Sequence, residues 1–284
     1  MIKKIGVMGA GAMGGGIAQV AAQSGYEVVL HDLEMKYVEK AMASMEKFLS
    51  KSVAKGKIEA DKKDEIMGRI SGTTDMEAFS DVDLVIEAII EDLEIKKEAF
   101  VKLDKICADN VILATNTSSM SITVIGSSTQ RPDKVVGMHF FNPPPIMKLV
   151  EVIRGYHTSD ETINAVKEVC TKLGKTAVEV RKDEPGFIVN RLMIAQWMEA
   201  MKLLQEGVAS KEDIDTAVKL GLNHPMGVFE LQDFGGVDIG YHVMNYLYDE
   251  LKDPRWNPPQ ALKDLMRAGR LGRKTGAGWF DYED

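Results

Sequence analysis

A histidine and a glutamate on adjacent predicted strands are the residues best suited to chemistry. His139 follows an apolar predicted strand, and Glu151 lies in the next one, at residues 149–153. Histidine side chains titrate near neutral pH, so one can take a proton from a hydroxyl group and return it. A carboxylate bonded to the imidazole sets its tautomer and stabilises the cation that proton uptake creates. The pair predicts general acid–base chemistry, with His139 as the base. The alternatives are a structural histidine and a surface ion pair of Glu151 with Lys148 or Arg154.

A glycine motif follows the first predicted strand, near the start of the chain. Gly9, Gly11 and Gly14 form the pattern G-x-G-x-x-G, and Ala12 and Met13 lie between the last two glycines. In such a motif the first glycine permits a tight turn and the second lets a pyrophosphate approach the backbone. The third lets the following helix pack closely on the strand, and the N–H groups of that helix bind the phosphates. The motif favours a dinucleotide site, the alternative being a glycine-rich turn in another α/β protein.

An acidic residue stands where such a site needs one. Asp32 follows the second predicted strand, 18 residues after Gly14. A carboxylate at this distance would accept hydrogen bonds from the adenosine ribose hydroxyls. It would also repel the 2′-phosphate of NADP. Asp32 therefore favours NAD as the cofactor and leaves NADP possible.

Predicted strands and helices alternate up to residue 180, which implies a Rossmann-type α/β domain with a mostly parallel sheet covered on both faces. A polar segment at about 36–70, divided by residues 55–57, predicts a helical hairpin inserted into this domain. Its lysines form either a solvated face or a dock for a phosphate-bearing ligand; they are Lys47, Lys51, Lys55 and Lys57.

Polar side chains follow the predicted strands at their carboxyl ends. In sheets of this kind, ligands bind in the crevice beyond those ends. One crevice could therefore collect the following side chains: Asp32, Glu91, Asn116, Ser118 and His139.

The pattern changes at the polar segment 182–186, which contains Pro185 and Gly186. We place the domain boundary there, with a nucleotide-binding domain at 1–184 and an all-α domain at 185–284. Helices are predicted at about 189–206, 211–220, 234–251 and 259–268. Because the first of them is too apolar for one partner face, we expect it to pack against the first domain and across a homodimer interface. The alternative is a helix buried wholly inside its own domain.

Composition excludes several classes of function. The chain has 284 residues and a formal net charge of −8, which argues against a dedicated nucleic-acid binder. Its two cysteines, Cys107 and Cys170, provide neither a disulfide framework nor the spacing of a metal site. Residues 1–4 lead directly into the first predicted strand, and no apolar run is long enough to span a membrane. We therefore expect a cytoplasmic protein without a metal ion.

Motifs distributed along nearly the whole chain together resemble one family. They are the glycine motif at 9–14, Asn-Thr-Ser-Ser at 116–119, His-Phe-Phe-Asn-Pro-Pro at 139–144, Pro-Gly-Phe-Ile-Val-Asn-Arg at 185–191, Asn-His-Pro-Met-Gly at 223–227 and Gly-Arg-Lys-Thr-Gly-x-Gly at 272–278. On these motifs the chain resembles the 3-hydroxyacyl-CoA dehydrogenase family. The resemblance implies hydride transfer that interconverts (S)-3-hydroxybutyryl-CoA and acetoacetyl-CoA, with NAD as cofactor, NADP as a possible substitute and an acyl-CoA as substrate.

The resemblance also implies roles for individual residues. His139 matches the catalytic base and Glu151 its acidic partner, while Ser118 and Asn190 match the pair that holds the C3 oxygen of the substrate. Lys51 and Lys55 become candidates for contacts with the phosphates of CoA. The positions implied around the cofactor are Gly9, Gly11, Ala12, Met13, Gly14, Asp32, Glu91, Lys96, Asn116, Ser118, Asn142 and Lys274.

Two other functions stay open at this point. One is a different β-hydroxyacid dehydrogenase that acts on a free acid; such enzymes typically use a lysine base, and the His139/Glu151 pair argues against it. The other is a catalytically silent dinucleotide-binding protein similar to the lambda-crystallins. The intact catalytic positions argue against that second function.

Overall fold

A computed structural model describes residues 2–282 of the chain. The chain divides into two compact units, the first ending at Glu184 and the second beginning at Pro185. None of the helices in the described residues combines the length and the apolar character needed to cross a membrane.

The first unit is built on one sheet with the strand order β3-β2-β1-β4-β5-β6-β7-β8. Neighbouring strands run parallel, except that β6 and β7 are antiparallel. The expected Rossmann-type, mostly parallel sheet is therefore confirmed. The strands are β1 (Lys4–Met8), β2 (Glu27–His31), β3 (Ile70–Thr73), β4 (Leu84–Glu87), β5 (Ile112–Thr115), β6 (Val135–Phe140), β7 (Leu149–Ile153) and β8 (Thr176–Val180).

Helices accompany the sheet through the first unit. They are α1 (Ala12–Gln23), α2 (Met35–Ala54), α3 (Ala60–Gly68), α4 (Leu93–Ile106), α5 (Ile122–Gly126) and α6 (Asp160–Lys172). Apolar strand residues such as Val7, Leu30 and Ile86 are fully buried. Strands with both faces covered need such continuous apolar runs, which is why the sequence predicts them well.

The helical hairpin is present, but it ends earlier than predicted. Helix α3 stops at Gly68, and Ile70 begins strand β3 instead of extending the helix. A Cβ atom on Gly72 would lie 2.5 Å from Val38 Cγ1, so α2 packs directly on this short strand. In β3 only Ile70 is buried, and a single buried side chain produces no strand periodicity in the sequence.

The second unit is helical and has its own core, which contains Ile194, Trp197 and Met201 of its first helix. These three side chains are buried within the second unit, while packing of their helix against the first domain and across a homodimer interface stays a prediction. The predicted single helix at 234–251 is wrong at its start, because Gly236, with φ +106°, separates two helices. The helices are α7 (Val189–Gln205), α8 (Lys211–Gly221), α9 (Val228–Gly235), α10 (Val237–Leu251) and α11 (Gln260–Arg267).

Candidate active site

The side chains of His139 and Glu151 form a buried pair. His139 Nδ1 lies 2.7 Å from Glu151 Oε2. His139 is 6% exposed and Glu151 is fully buried, while the ring of Phe141 packs 4.5 Å from the imidazole, centroid to centroid. A carboxylate at this distance fixes the orientation of the ring and sets its tautomer. The catalytic role of the pair stays a prediction.

Sheet register explains why the two side chains meet. Strand β7 runs antiparallel to β6, and in this register His139 lies directly opposite Glu151. Side chains opposite one another in an antiparallel pair point to the same face, with Cβ atoms about 4.5–5.5 Å apart. The single antiparallel pairing of strands in the described sheet thus creates the contact.

The glycine turn has the shape that a dinucleotide site requires. Gly9 has φ +101°, and a Cβ atom on it would lie 2.5 Å from the carbonyl oxygen of Ala88. A Cβ atom on Gly14 would lie 1.8 Å from the carbonyl oxygen of Gly9, so α1 approaches the turn closely. A Cβ atom on Gly11 would meet no atom within 4 Å. Because Gly11 also makes no side-chain cap bond at the start of α1, these residues fit a bound pyrophosphate.

Asp32 does more than the sequence indicates. Its Oδ2 accepts a hydrogen bond of 2.7 Å from the main-chain N–H of Ala10, inside the glycine turn. Its Oδ1 accepts another from the N–H of Leu33, also 2.7 Å long. The preceding residue, His31, is buried against Phe79, and burial lowers the pKa of its imidazole although nearby carboxylates oppose the shift. Asp32 therefore holds the turn in shape in addition to its predicted contact with the ribose.

The loop after β5 carries Asn116 and Ser118 and is held from two sides. Asn116 Oδ1 accepts a hydrogen bond of 2.9 Å from the N–H of Phe140, which links the ends of β5 and β6. Glu91 Oε1 accepts hydrogen bonds from the Thr117 hydroxyl at 2.5 Å and from the Ser118 N–H at 2.9 Å. Asn116 therefore ties this loop to the end of His139's strand, and Glu91 ties it separately at Thr117 and Ser118.

Lys96 is more deeply buried than expected for a lysine that binds a ligand directly. It is 1% exposed, and its Nζ lies 2.6 Å from Glu87 Oε1 and 3.2 Å from Glu91 Oε2. The two carboxylates enclose the ammonium group. By contrast Asn142, which precedes a cis proline bond, is exposed on the loop after β6.

The hairpin lysines proposed for the CoA phosphates are at the surface. Lys51 lies in the last turn of α2, and Lys55 caps that helix; both are exposed. A cationic side chain in this position is free of the desolvation cost that burial imposes. Their contact with CoA stays a prediction.

Two predicted residues belong to the second unit. Asn190 lies in the first turn of α7 and is partly buried. Lys274 Nζ binds both carboxylate oxygens of Asp238, at 2.6 and 2.7 Å. Burial raises the pKa of Asp238, but the hydrogen bond and charge of Lys274 outweigh it and leave that pKa below its ordinary value. The roles of Asn190 and Lys274 stay predictions.

One contact near the site was not predicted from the sequence. A Cβ atom on Gly16 would lie 2.7 Å from Pro144 Cδ, so α1 packs directly on the proline loop that follows His139. The signal was the run of three glycines, Gly14 to Gly16, of which the motif explains only the first. Among residues 2–282, no three His, Cys, Asp or Glu side chains cluster so as to hold a metal ion.

Comparison with known families agrees with these features. Residues 4–184 match the family model described as 3-hydroxyacyl-CoA dehydrogenase, NAD binding domain. Residues 186–282 match the model of the C-terminal domain of the same family. The chain belongs to the 3-hydroxyacyl-CoA dehydrogenase family. The family predicted from the motifs is thereby confirmed, and the first unit is an NAD-binding domain.

Individual members of the family cover the chain almost end to end. The 3-hydroxybutyryl-CoA dehydrogenase of Clostridioides difficile is 48% identical over 279 residues, which span 98% of this chain and 99% of that one. The human mitochondrial hydroxyacyl-coenzyme A dehydrogenase is 44% identical over 291 residues, covering 100% and 92%. The crystal structure of (S)-3-hydroxybutyryl-CoA dehydrogenase from Ralstonia eutropha is 43% identical, covers 100% of both chains and superposes with a TM-score of 0.97.

Proposed function

We propose that the protein interconverts (S)-3-hydroxybutyryl-CoA and acetoacetyl-CoA, with NAD as the hydride carrier. The observation that carries the proposal is the buried contact of 2.7 Å between His139 Nδ1 and Glu151 Oε2. The names of the Clostridioides and Ralstonia relatives support the substrate class. When bound, NAD accepts the hydride at its nicotinamide ring or, as NADH, supplies it.

His139 moves the proton in this scheme. In the oxidation direction its imidazole takes the proton of the C3 hydroxyl, and in the reduction direction the imidazolium returns it. Because Nδ1 is committed to Glu151, Nε2 is the nitrogen that exchanges the proton with the substrate. The negative charge of Glu151 stabilises the imidazolium and keeps the ring in place.

Ser118 and Asn190 serve as hydrogen-bond donors to the C3 oxygen. Negative charge develops on that oxygen during reduction, and donors that are already oriented stabilise it without reorganisation. Glu91 fixes the backbone of Ser118 by a hydrogen bond of 2.9 Å, which supports such an orientation. Lys51 and Lys55 supply positive charge for the CoA phosphates. A homodimer joined through the second unit is part of the same proposal.

Most of the positions proposed to hold the cofactor lie in the first unit. Gly9, Gly11 and Gly14 admit the pyrophosphate, the helix start at Ala12 and Met13 offers it N–H groups, and Asp32 binds the adenosine ribose. The remaining positions proposed around the cofactor are Glu91, Asn116, Ser118, Asn142 and Lys274. Lys96 is buried between two carboxylates, which supports an indirect role in cofactor binding.

We expect Asp32→Asn to shift the cofactor preference toward NADPH. The amide oxygen can keep the bond from the Ala10 N–H, although the bond from the Leu33 N–H is lost, and the charge that repels a 2′-phosphate is removed. The measurement is the ratio of kcat/KM for NADPH to that for NADH, in wild type and variant. An unchanged ratio in a normally folded variant would remove Asp32 from the argument for NAD.

The substrate assignment is tested by NADH oxidation with two acceptors. We expect turnover with acetoacetyl-CoA and a rate at least about 10²-fold lower with free acetoacetate, because binding of the remote CoA moiety contributes to the rate. A free-acid dehydrogenase would show the opposite preference. A silent dinucleotide-binding protein would bind NADH, detected by its fluorescence, and oxidise it with neither acceptor.

A further inference from the structure

We infer that Glu87 is a positioning residue, which acts through Lys96 and Glu91 to hold the segment that carries Ser118. The inference rests on the proposed function, in which Ser118 binds the C3 oxygen of the substrate. None of the sequence motifs pointed to Glu87.

Glu87 is the last residue of β4 and is fully buried. Its Oε1 accepts hydrogen bonds from Lys96 Nζ at 2.6 Å and from the Ile89 N–H at 2.8 Å. Its Oε2 accepts one from the Thr115 hydroxyl at 2.7 Å. Three donors on three segments thus fix the carboxylate in a single orientation.

Lys96 transmits this orientation to Glu91. The buried ammonium group lies between Glu87 Oε1 and Glu91 Oε2, which is 3.2 Å from Nζ. Removing one partner of a buried ion pair leaves an uncompensated charge, which is strongly unfavourable. Since the side chain of Glu91 is 39% exposed, its position depends on the buried lysine more than on packing.

Glu91 and Thr115 then hold the Ser118 segment from two sides. Glu91 Oε1 accepts from the Thr117 hydroxyl and from the Ser118 N–H, while its separation from Ser118 Oγ is longer, at 3.4 Å. The Thr115 hydroxyl, which donates to Glu87, also accepts a hydrogen bond of 3.2 Å from the Thr117 N–H. Both routes begin at the Glu87 carboxylate and end on the backbone next to Ser118.

This arrangement matters for catalysis because small displacements of a donor are costly. A misplacement of about 1 Å in a positioned group can reduce the rate about 10²-fold. Stability alone is a weak explanation for the pair, because replacing a buried ion pair with well-packed apolar side chains is often neutral or stabilising. Orientation of Ser118 explains why a charged pair is present where apolar side chains would give similar stability.

The test is a double-mutant cycle with Glu87→Gln and Lys96→Met, measured as kcat, KM for acetoacetyl-CoA and Tm. We expect each single variant to lower both Tm and kcat, the latter about 10-fold or more, with KM changed less than about threefold. The double variant leaves no lone buried charge, so its Tm should recover while its kcat stays low. Recovery of kcat together with Tm would overturn the inference and leave a purely structural pair.

A second measurement does not depend on turnover. In Glu87→Gln the amide hydrogen of Ser118 should exchange faster than in wild type, because its bond to Glu91 is loosened. Unchanged exchange in the folded variant would overturn the inference even if the enzyme acts on another substrate. Failure of wild type to reduce acetoacetyl-CoA would instead count against the proposed function alone.

Two further variants complete the design. Glu94→Gln removes an exposed carboxylate of α4 that pairs with Lys97 at 2.9 Å, and it should leave kcat and Ser118 exchange unchanged. If Glu87→Gln does not fold, Thr115→Val removes the second route alone. That variant should lower kcat and speed the exchange of the Thr117 amide, and Lys96→Met, which breaks the first route, should do the same for the Ser118 amide. Normal values in both variants would overturn the role of Glu87.

Discussion

At the scale of single residues, one contact determines which imidazole nitrogen would exchange a proton with the substrate in the proposed reaction. His139 Nδ1 and Glu151 Oε2 are 2.7 Å apart, and both side chains are buried. Because little solvent screens the pair, the carboxylate of Glu151 acts on the ring at close range. We therefore propose that Glu151 contributes to turnover only through His139.

A double-mutant cycle on this pair gives a quantitative prediction. We expect His139→Gln to reduce kcat for acetoacetyl-CoA by about 10²–10⁴, the usual contribution of a general acid–base group. Glu151→Gln should reduce kcat by a smaller factor. In the His139→Gln background the same Glu151 change should cost almost nothing, since residues that act as a unit are not additive.

The matched control for this cycle is Glu179→Gln on the neighbouring strand β8. Glu179 binds Lys167 and Arg154, which lower the pKa of its carboxyl group against the opposing effect of burial, and it has no contact with His139 among the described interactions. Its kcat should match that of wild type. Additive losses from His139→Gln and Glu151→Gln would show that Glu151 acts independently of the imidazole.

The sequence predicts that these two residues form a pair, but it leaves open a surface ion pair of Glu151 with Lys148 or Arg154. Both lie on strongly apolar strands, which periodicity detects reliably. The direction of β7 depends on the connection through residues 141–148, and the sequence does not encode it in any local pattern. Only the antiparallel register shows that Glu151 meets His139 and not a surface lysine or arginine.

At the scale of elements, two glycines at the junction of β1 and α1 are needed for different reasons, one for folding and the other for ligand binding. Gly14 is constrained by the protein itself, because a Cβ atom there would lie 1.8 Å from the carbonyl oxygen of Gly9. Gly11 has no such neighbour within 4 Å. A methyl group at Gly11 would therefore meet only a ligand that approaches the turn.

Alanine substitutions at these two glycines should have different effects, one on stability and the other on NADH binding. We expect Gly14→Ala to lower Tm markedly, because the backbone of α1 must shift away from the turn. Gly11→Ala should keep a Tm within about 2 °C of wild type, because Gly11 has φ −69° and ψ −171°, an extended conformation that alanine also adopts. It should weaken NADH binding about 10-fold or more. Thermal unfolding and NADH fluorescence titration measure the two effects. Normal NADH affinity in Gly11→Ala would contradict the proposed path of the pyrophosphate.

Elements with long apolar runs were predictable, and those with weak local signals were not. The eight strand regions follow apolar segments, except β3, where Ile70 alone is buried. The five-residue helix α5 has no period long enough to detect. Gly236 was visible as half of a glycine pair, but no local pattern predicts its φ of +106°, which breaks the predicted helix.

At the scale of the whole molecule, each of the two units has its own apolar core. The second unit also has large apolar side chains on its surface. Leu220 is 82% exposed and Leu222 is 60% exposed, at the end of α8, and Val208 is 64% exposed in the loop before that helix. Leu220 and Leu222 lie close together in sequence, and exposed apolar side chains grouped in this way are typical of protein interfaces.

We therefore predict that the protein is a homodimer and that the end of α8 contributes to the interface. A two-fold interface repeats every contact, so the double variant Leu220→Glu/Leu222→Glu places like charges in both copies of the patch and should dissociate the dimer. Sedimentation velocity at micromolar concentration measures this as a fall to the mass of one chain. Tyr156→Glu changes a side chain of the first unit that is 84% exposed, and that variant should stay dimeric. A wild type that sediments as a monomer would contradict the dimer itself, whereas a dimeric double variant would place the interface elsewhere on the chain.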